Sequence, residues 1–181
     1  MASDKDYSLR PLVRDDLERV LAWRNSDQVR SYMYHDDLIS WAAHERWFNR
    51  VAEDARYDYQ LFCYQTSPIG LTSASQIDRD AGTCFWGLYI GEQDAPPGSG
   101  SWLGYYAMNH MFDALAMRKV ICEVLAFNKR AIRLYEKLGF EQEGCFRRHV
   151  LKNGRYEDVV SMALFVENWQ KTKKLLERDG G

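Results

Sequence analysis

The stretch EVLAFNKRAIRLYEKLGFEQEG, residues 123–144, decides the fold, because it reads as the end of a strand followed by one complete helix. Asn128 has the side chain of a helix N-cap, and Gly139 suits the position just after a helix end. The pattern alone favours Tyr135 as a core aromatic, although a buried phenol needs a partner and can also act as an acid. It belongs to a core-facing stripe at i, i+1, i+4 and i+7, formed by Ala131, Ile132, Tyr135 and Leu138. The charged residues of this helix are predicted to point mostly outward: Lys129, Arg130, Arg133, Glu136 and Lys137.

The strand before this helix, KVICEVLAF at residues 119–127, carries an acid inside an apolar run. With a period of two, Ile121, Glu123 and Leu125 share one face. A buried carboxylate without a partner costs free energy, so its presence favours a general base. The alternative is a glutamate at a solvated strand edge or one paired with an arginine.

Further upstream, the segment PPGSGSW at residues 96–102 ends a strand and begins a helix. A helix N-terminus presents free N–H groups and a positive dipole end, and glycines let a phosphate approach the backbone closely. The segment lacks both the GKS/T of a nucleotide P-loop and the GxGxxG of a dinucleotide site. It therefore predicts either a pyrophosphate cradle or an ordinary Pro/Gly loop.

The remaining patterns predict one α+β domain, residues 1–181, with a mixed central sheet covered by helices on both faces. Antiparallel strands come first, then one βαβ crossover, then a hairpin that turns at Asn153-Gly154. The predicted elements are a strand at 7–11, a helix at 13–25, a helix capped by Ser40 that runs to residue 53, strands at 59–65 and 70–77 around a turn at 68–70, a strand at 83–91, a helix at 102–115 and the elements named above.

Composition excludes several classes of function. The formal net charge of −2 does not indicate a basic nucleic-acid-binding face. No apolar run reaches ~18 residues and no signal segment is visible, so we predict a cytoplasmic protein without a membrane partner. The four cysteines and four histidines show no ligand spacing, which predicts unpaired thiols and no metal.

Taken in order, these motifs resemble the GCN5-related N-acetyltransferase (GNAT) superfamily over nearly the whole chain. The resemblance is carried by LYIG at 88–91, PPGSGS at 96–101, the stretch at 123–144 and NGRYEDVVSMALF at 153–165. It implies a mostly antiparallel sheet with a parallel splay between the fourth and fifth strands, and acetyl-CoA as cosubstrate without a metal. One departure is the non-basic loop start Ala95-Pro96-Pro97, which would leave phosphate binding to backbone groups and the helix dipole.

The resemblance also implies roles for individual residues. Glu123 would take a proton from the acceptor amine, directly or through water, and Tyr135 would protonate the leaving thiolate. A strand N–H near Tyr89 would hold the developing oxyanion. The implied cofactor-binding residues are Leu88, Tyr89 and Ile90 for the pantetheine arm, Gly98, Ser99, Gly100 and Ser101 for the pyrophosphate, and Asn128 and Ala131 beside them.

Within the superfamily, residues 23–48 are similar to the amino-sugar nucleotide N-acetyltransferases of pseudaminic acid biosynthesis. This implies transfer to the 4-amino group of UDP-4-amino-4,6-dideoxy-N-acetyl-β-L-altrosamine, for flagellin glycosylation. Plain structural roles, such as a surface charge for Arg24 or packing for His44, remain open. The implied acceptor-binding residues are Arg24, His44, Ser75, Gln76 and Tyr89.

Two other interpretations remain open. The N-terminal segment LRPLVRDDLERVLAWRN is similar to acetyltransferases of ribosomal proteins, which favours a protein N-terminal acetyltransferase. A regulatory module that binds acetyl-CoA without catalysis is the non-enzymatic alternative, but the presence of both Glu123 and Tyr135 disfavours it. The oligomeric state stays open, a homodimer included.

Overall fold

A single seven-stranded sheet organises the chain in the computed structural model, which describes residues 6–179. The strands lie in the order β1-β2-β3-β4-β5-β7-β6. Their bounds are β1 Tyr7–Pro11, β2 Asp58–Tyr64, β3 Ser67–Asp78, β4 Thr83–Ile90, β5 Lys119–Leu125, β6 Glu141–Lys152 and β7 Arg155–Phe165.

Six helices complete the described part of the chain, together with a 3₁₀ turn at Arg14–Asp16 and a π-helical turn at His110–Ala114. None of the helices within residues 6–179 is long and apolar enough to cross a bilayer. The helices are α1 Leu17–Asn25, α2 Asp27–Arg30, α3 Trp41–Ala52, α4 Ser99–Asn109, α5 Lys129–Lys137 and α6 Val166–Asp179.

All neighbouring strands pair antiparallel except β4 and β5, which run parallel. Their pairing extends only from Thr83 opposite Lys119 to Phe85 opposite Ile121. Beyond Phe85 the two strands part, while β4 keeps its pairing to β3 through Ile90. The predicted mixed sheet with a parallel splay between the fourth and fifth strands is confirmed.

Alternate strand residues face two helical layers. On one face Trp86 packs in a core with Met108 of α4 and Leu138 after α5. On the other face Leu71 packs with Trp23 of α1, and Tyr89 lies against that cluster. Helices therefore cover both faces, as the sequence predicts.

The structure corrects several predicted boundaries. The predicted turn at 68–70 is wrong: Pro68 pairs with Cys63 and Gly70 with Phe62, and the strands turn at Gln65, where φ is +54°. Pro68 is tolerated because it lies at a register shift, where a ladder hydrogen bond is lost in any case.

Helix α4 begins three residues earlier than predicted, at Ser99, because Gly98 caps it with φ of +89°. The predicted helix at 13–25 opens instead as a 3₁₀ turn before α1. Helix α6 was not predicted, although its Trp169 is one of the largest fully buried side chains of the core.

Candidate active site

A cavity of about 1420 Å³ opens where β4 and β5 part. The cavity passes between the two strands, because residues on both sides of the sheet line it. Tyr89 lines it on the side of α1, and Tyr135 of α5 lines it on the opposite side. The side that holds α4 and α5 is called the cofactor half below, and the side that holds α1–α3 is called the acceptor half.

In the cofactor half, the loop before α4 is closed by its own hydrogen bonds. The Ser99 hydroxyl donates to the Pro96 carbonyl at 2.7 Å and lies 3.2 Å from the Tyr7 hydroxyl. The Ser99 N–H donates to Pro96 and the Ser101 N–H to Gly98, so two of the four predicted phosphate donors are engaged within the loop. A Cβ added at Gly98 or Gly100 would meet no atom within 4 Å, which leaves an open cradle over both glycines.

Helix α5 supplies positive charge that the loop lacks. Arg130, Arg133 and Lys137 all line the cavity together with the glycine loop. Sequence reasoning assigned them to the outward face, but their spacing of three and four residues places them on one flank of the helix. This spacing is the sequence signal that could have placed the three cations together. Their positive charges suit the phosphates of a CoA molecule.

The edge of β4 and the start of α5 hold the remaining residues that the sequence predicts to bind the cofactor. Leu88, Tyr89 and Ile90 pair with β3 on one side, and β5 has already separated on the other. Asn128 caps α5, because its Oδ1 accepts the Ala131 N–H at 3.1 Å, as the sequence predicts. All five residues line the cavity.

Tyr135 lies where the two halves meet. Its ring is buried against Trp86 and Phe140, with centroids 5.2 and 5.8 Å away. Burial raises the pKa of the Tyr135 phenol, so the hydroxyl keeps its proton at neutral pH. The ring fills core space, as the sequence pattern favours, and the residue also lines the cavity. Its role as an acid stays a prediction.

Glu123 projects into the same cavity from β5. It is half-buried, and its Oε2 accepts a 2.6 Å hydrogen bond from the Tyr34 hydroxyl. The expectation of an unpartnered buried carboxylate is therefore wrong, as is the alternative of an arginine partner. Sequence reasoning missed this contact because the two residues are 89 positions apart.

The acceptor half holds three buried polar atoms without a hydrogen-bond partner among the described residues: Arg24 Nη1, His44 Nε2 and the Tyr89 hydroxyl. All three residues line the cavity. Burial lowers the pKa of the Arg24 guanidinium. Burial also lowers the pKa of the His44 imidazole, and the nearby positive charge of Arg24 lowers it further. Burial also raises the pKa of the Tyr89 phenol. Arginine stays charged even when its pKa is lowered, so the acceptor half presents one half-buried cation, a neutral imidazole and a phenol.

Two predicted acceptor-binding residues are not brought to this site. Ser75 directs its hydroxyl at the Phe85 carbonyl, 3.5 Å away, and Gln76 is exposed with φ of +50°. A register shift between Ser75 and Asp78 breaks the strand alternation here. Both residues lie outside the cavity lining.

Across residues 6–179 no three His, Cys, Asp or Glu side chains gather as metal ligands. The four cysteines are unpaired, and Cys63, Cys84 and Cys122 are buried in strands.

Comparison with known proteins agrees with this geometry. A spermidine N(1)-acetyltransferase of Vibrio cholerae is 27% identical over 160 residues, which span 88% of this chain and 92% of that protein. A crystal structure of spermidine N-acetyltransferase from Vibrio cholerae in complex with CoA and spermine has a TM-score of 0.86 at 25% identity, covering 92% of this chain and 99% of that chain. A ribosomal protein uS5-alanine N-acetyltransferase of Escherichia coli is 28% identical over 102 residues, 56% of this chain and 53% of that protein.

These relatives bear on the predicted subgroup. They are named for spermidine and for a ribosomal protein, so they give no support to the predicted likeness to pseudaminic acid enzymes. The superfamily assignment is confirmed, because residues 7–141 match the family described as the acetyltransferase (GNAT) domain. The chain therefore belongs to the GNAT acetyltransferase family and is an acetyl-CoA-dependent N-acetyltransferase.

Proposed function

We propose that this enzyme acetylates a primary amine of a small acceptor that also carries an anionic group, namely an amino-sugar nucleotide. In its most specific form the acceptor is UDP-4-amino-4,6-dideoxy-N-acetyl-β-L-altrosamine, acetylated at the 4-amino group. The observation that carries the proposal is Arg24 Nη1, a buried donor on the cavity wall without a partner among residues 6–179. Such a group costs free energy unless a ligand satisfies it.

The charges around Arg24 favour an anionic partner. Three acids line the cavity. Asp27 is bonded to Arg30 at 2.6 Å and Glu92 to Arg19 at 3.2 Å, so neighbouring arginines compensate these two charges. Glu123, the third acid, accepts a hydrogen bond from a phenol and is the proposed proton acceptor for the amine. A diphosphate or carboxylate would accept the Arg24 donor in a charge-assisted hydrogen bond.

The neutral groups beside Arg24 suit a sugar or nucleoside. His44 Nε2 and the Tyr89 hydroxyl can accept from or donate to hydroxyl and amide groups of a ligand. Trp47 and Tyr59 also line the cavity, with ring centroids 5.0 Å apart, and offer aromatic surface to a planar base. The cavity volume of about 1420 Å³ exceeds that of most single-ligand pockets, which suits two substrates side by side.

The reaction requires two proton transfers. The acceptor nitrogen forms a bond to the acetyl carbon, and the bond from that carbon to the CoA sulfur breaks. Glu123 takes a proton from the amine through Oε1, the oxygen that Tyr34 does not occupy. Tyr135 gives its proton to the departing sulfur.

A polyamine is the second candidate acceptor, because two of the relatives above are named for spermidine. Against it stands the charge of the pocket. A polyamine would bring several positive charges beside the half-buried Arg24 cation, and like charges repel more strongly where water is partly excluded.

The test is release of CoA thiol from acetyl-CoA with three acceptors at equal concentration: the 4-amino-sugar nucleotide, spermidine and an alanine-initiated peptide. We expect kcat/KM for the sugar nucleotide to exceed the other two values by at least about tenfold, the effect of ~1.4 kcal/mol. A higher value for spermidine or the peptide would overturn the acceptor assignment and leave the acetyltransferase intact.

A further inference from the structure

The proposed base, Glu123, is held by a residue outside the sheet. Tyr34 lies in the segment between α2 and α3, residues 31–40, and donates its hydroxyl proton to Glu123 Oε2 at 2.6 Å. Burial and this hydrogen bond raise the pKa of Tyr34, so the phenol keeps its proton at neutral pH and donates it to the carboxylate. One carboxylate oxygen is thereby fixed, and the other is left for the acceptor amine.

The segment at 31–40 has almost no regular structure of its own, so side chains from elsewhere must order it. The main anchor is Lys152 at the end of β6, which is only 5% exposed. Its Nζ donates to the Met33 carbonyl at 2.7 Å and pairs with Asp36 Oδ2 at 3.1 Å. A lysine is rarely buried to this extent without partners, and both of its partners belong to this one segment.

Further contacts support the two ends of the segment. Arg30 donates to the Asp36 carbonyl at 3.0 Å. Asn25 makes two reciprocal bonds with the Ile39 backbone, at 2.8 and 2.9 Å. His149 of β6 packs its ring against Tyr34, with centroids 6.4 Å apart. The hairpin of β6 and β7 therefore touches the segment both at its backbone and at the tyrosine.

We propose that Tyr34 and Lys152 are positioning residues for acyl transfer: Lys152 fixes the segment at 31–40, and Tyr34 then fixes Glu123 toward the acceptor amine. The inference rests on the proposed role of Glu123 as proton acceptor, but not on which amine is acetylated. Neither residue transfers a proton in the reaction. Both residues affect the rate of acyl transfer, because displacing the catalytic base by about 1 Å can slow the reaction by on the order of a hundredfold.

The kinetic test uses Tyr34→Phe, Lys152→Met and the double variant, assayed with the best acceptor found for the wild type. We expect each single change to lower kcat by about tenfold or more, with KM for acetyl-CoA within about twofold of wild type. The double variant should be no slower than the slower single variant, because both changes act through the same carboxylate. Lys152→Arg, which keeps the charge, should recover part of the rate.

Matched controls are available in the same sheet. Lys119→Met removes a strand lysine bonded to Glu143 at 2.7 Å, away from the cavity, and Tyr156→Phe changes a tyrosine that is 65% exposed. Both should keep wild-type kcat. The proposal is overturned if Tyr34→Phe keeps wild-type kcat, or if the two single effects multiply in the double variant.

A second measurement is independent of the substrate. Hydrogen exchange on the full chain should show faster exchange at residues 31–40 in Lys152→Met than in wild type or Lys119→Met. Unchanged exchange would overturn the anchoring role of Lys152. If Glu123→Gln itself leaves turnover unchanged, the proposed catalytic base fails; if Glu123→Gln is slow and Tyr34→Phe is not, only the positioning inference fails.

Discussion

The two halves of the cavity are built in different ways. The cofactor half depends on backbone and on short sequence distances: a glycine cap at Gly98, an asparagine cap at Asn128 and the free edge of β4. The acceptor half depends on hydrogen bonds between residues that are distant in sequence. Tyr34 donates to Glu123 across 89 residues, and Lys152 donates to the Met33 carbonyl across 119 residues.

This difference separates what is common to the family from what can vary. Backbone donors at a helix N-terminus bind a phosphate whatever the neighbouring side chains are. In the acceptor half, Arg24, His44 and Tyr89 instead each carry one buried polar atom that lacks a partner among the described residues. Selectivity for the amine should therefore lie in the acceptor half, and changes in either half should leave the other intact.

The largest effect is expected from Glu123→Gln in the acceptor half. Turnover should fall by roughly 10²-fold or more, because the amide cannot accept the amine proton. The Kd of acetyl-CoA, measured by calorimetry, should stay unchanged. Glu143→Gln, which alters a glutamate bonded to Lys119, is the matched control. Unchanged turnover in Glu123→Gln would remove this residue from the mechanism.

Tyr135→Phe acts at the junction of the two halves. Phenylalanine keeps the ring contacts with Trp86 and Phe140, so the melting temperature should change little. We expect kcat to fall by about tenfold or more, because the sulfur loses its proton donor. A stable and fully active variant would instead make Tyr135 a core aromatic only.

A smaller effect is expected from Gly98→Ala in the cofactor half. The φ of +89° at Gly98 is costly for alanine, by roughly 1–2 kcal/mol, and the strain should shift the loop that holds the phosphates. KM for acetyl-CoA should rise by about tenfold, with KM for the amine unchanged. Gly154→Ala carries similar strain, at φ of +75°, in the distant hairpin, and should lower stability without changing either KM. Equal effects of both substitutions on KM would contradict a local role.

The same contrast explains how far the sequence could predict the molecule. The helix with Asn128 and Tyr135 and the hairpin at Asn153-Gly154 follow from local rules, and the structure confirms them. The start of α4 does not follow from them, because the sequence predicts it three residues too late. The resemblance to one family then implied the parallel splay between the fourth and fifth strands, which local patterns do not specify.

The errors also have physical causes. The Tyr34–Glu123 hydrogen bond and the Lys152 anchor depend on tertiary packing, so no spacing in the sequence reveals them. Ser75 and Gln76 were carried over by position from the resembling subgroup, but the register shift near Asp78 breaks the strand alternation at these residues. Arg130 and Arg133 were assigned to solvent because a helix flank can face both solvent and a cavity.

Arg24 is the residue that we expect to select an anionic acceptor. Its role is tested by the ratio of kcat/KM for the 4-amino-sugar nucleotide to that for spermidine, in wild type, in Arg24→Gln and in the control Arg14→Gln, whose arginine pairs with Glu45 at the surface. A hydrogen bond to a charged group contributes ~1.5–3 kcal/mol, so we expect Arg24→Gln to lower the ratio by about tenfold to a hundredfold, while Arg14→Gln leaves it unchanged. A wild-type enzyme that prefers spermidine, with a ratio that Arg24→Gln does not alter, would contradict this role of Arg24.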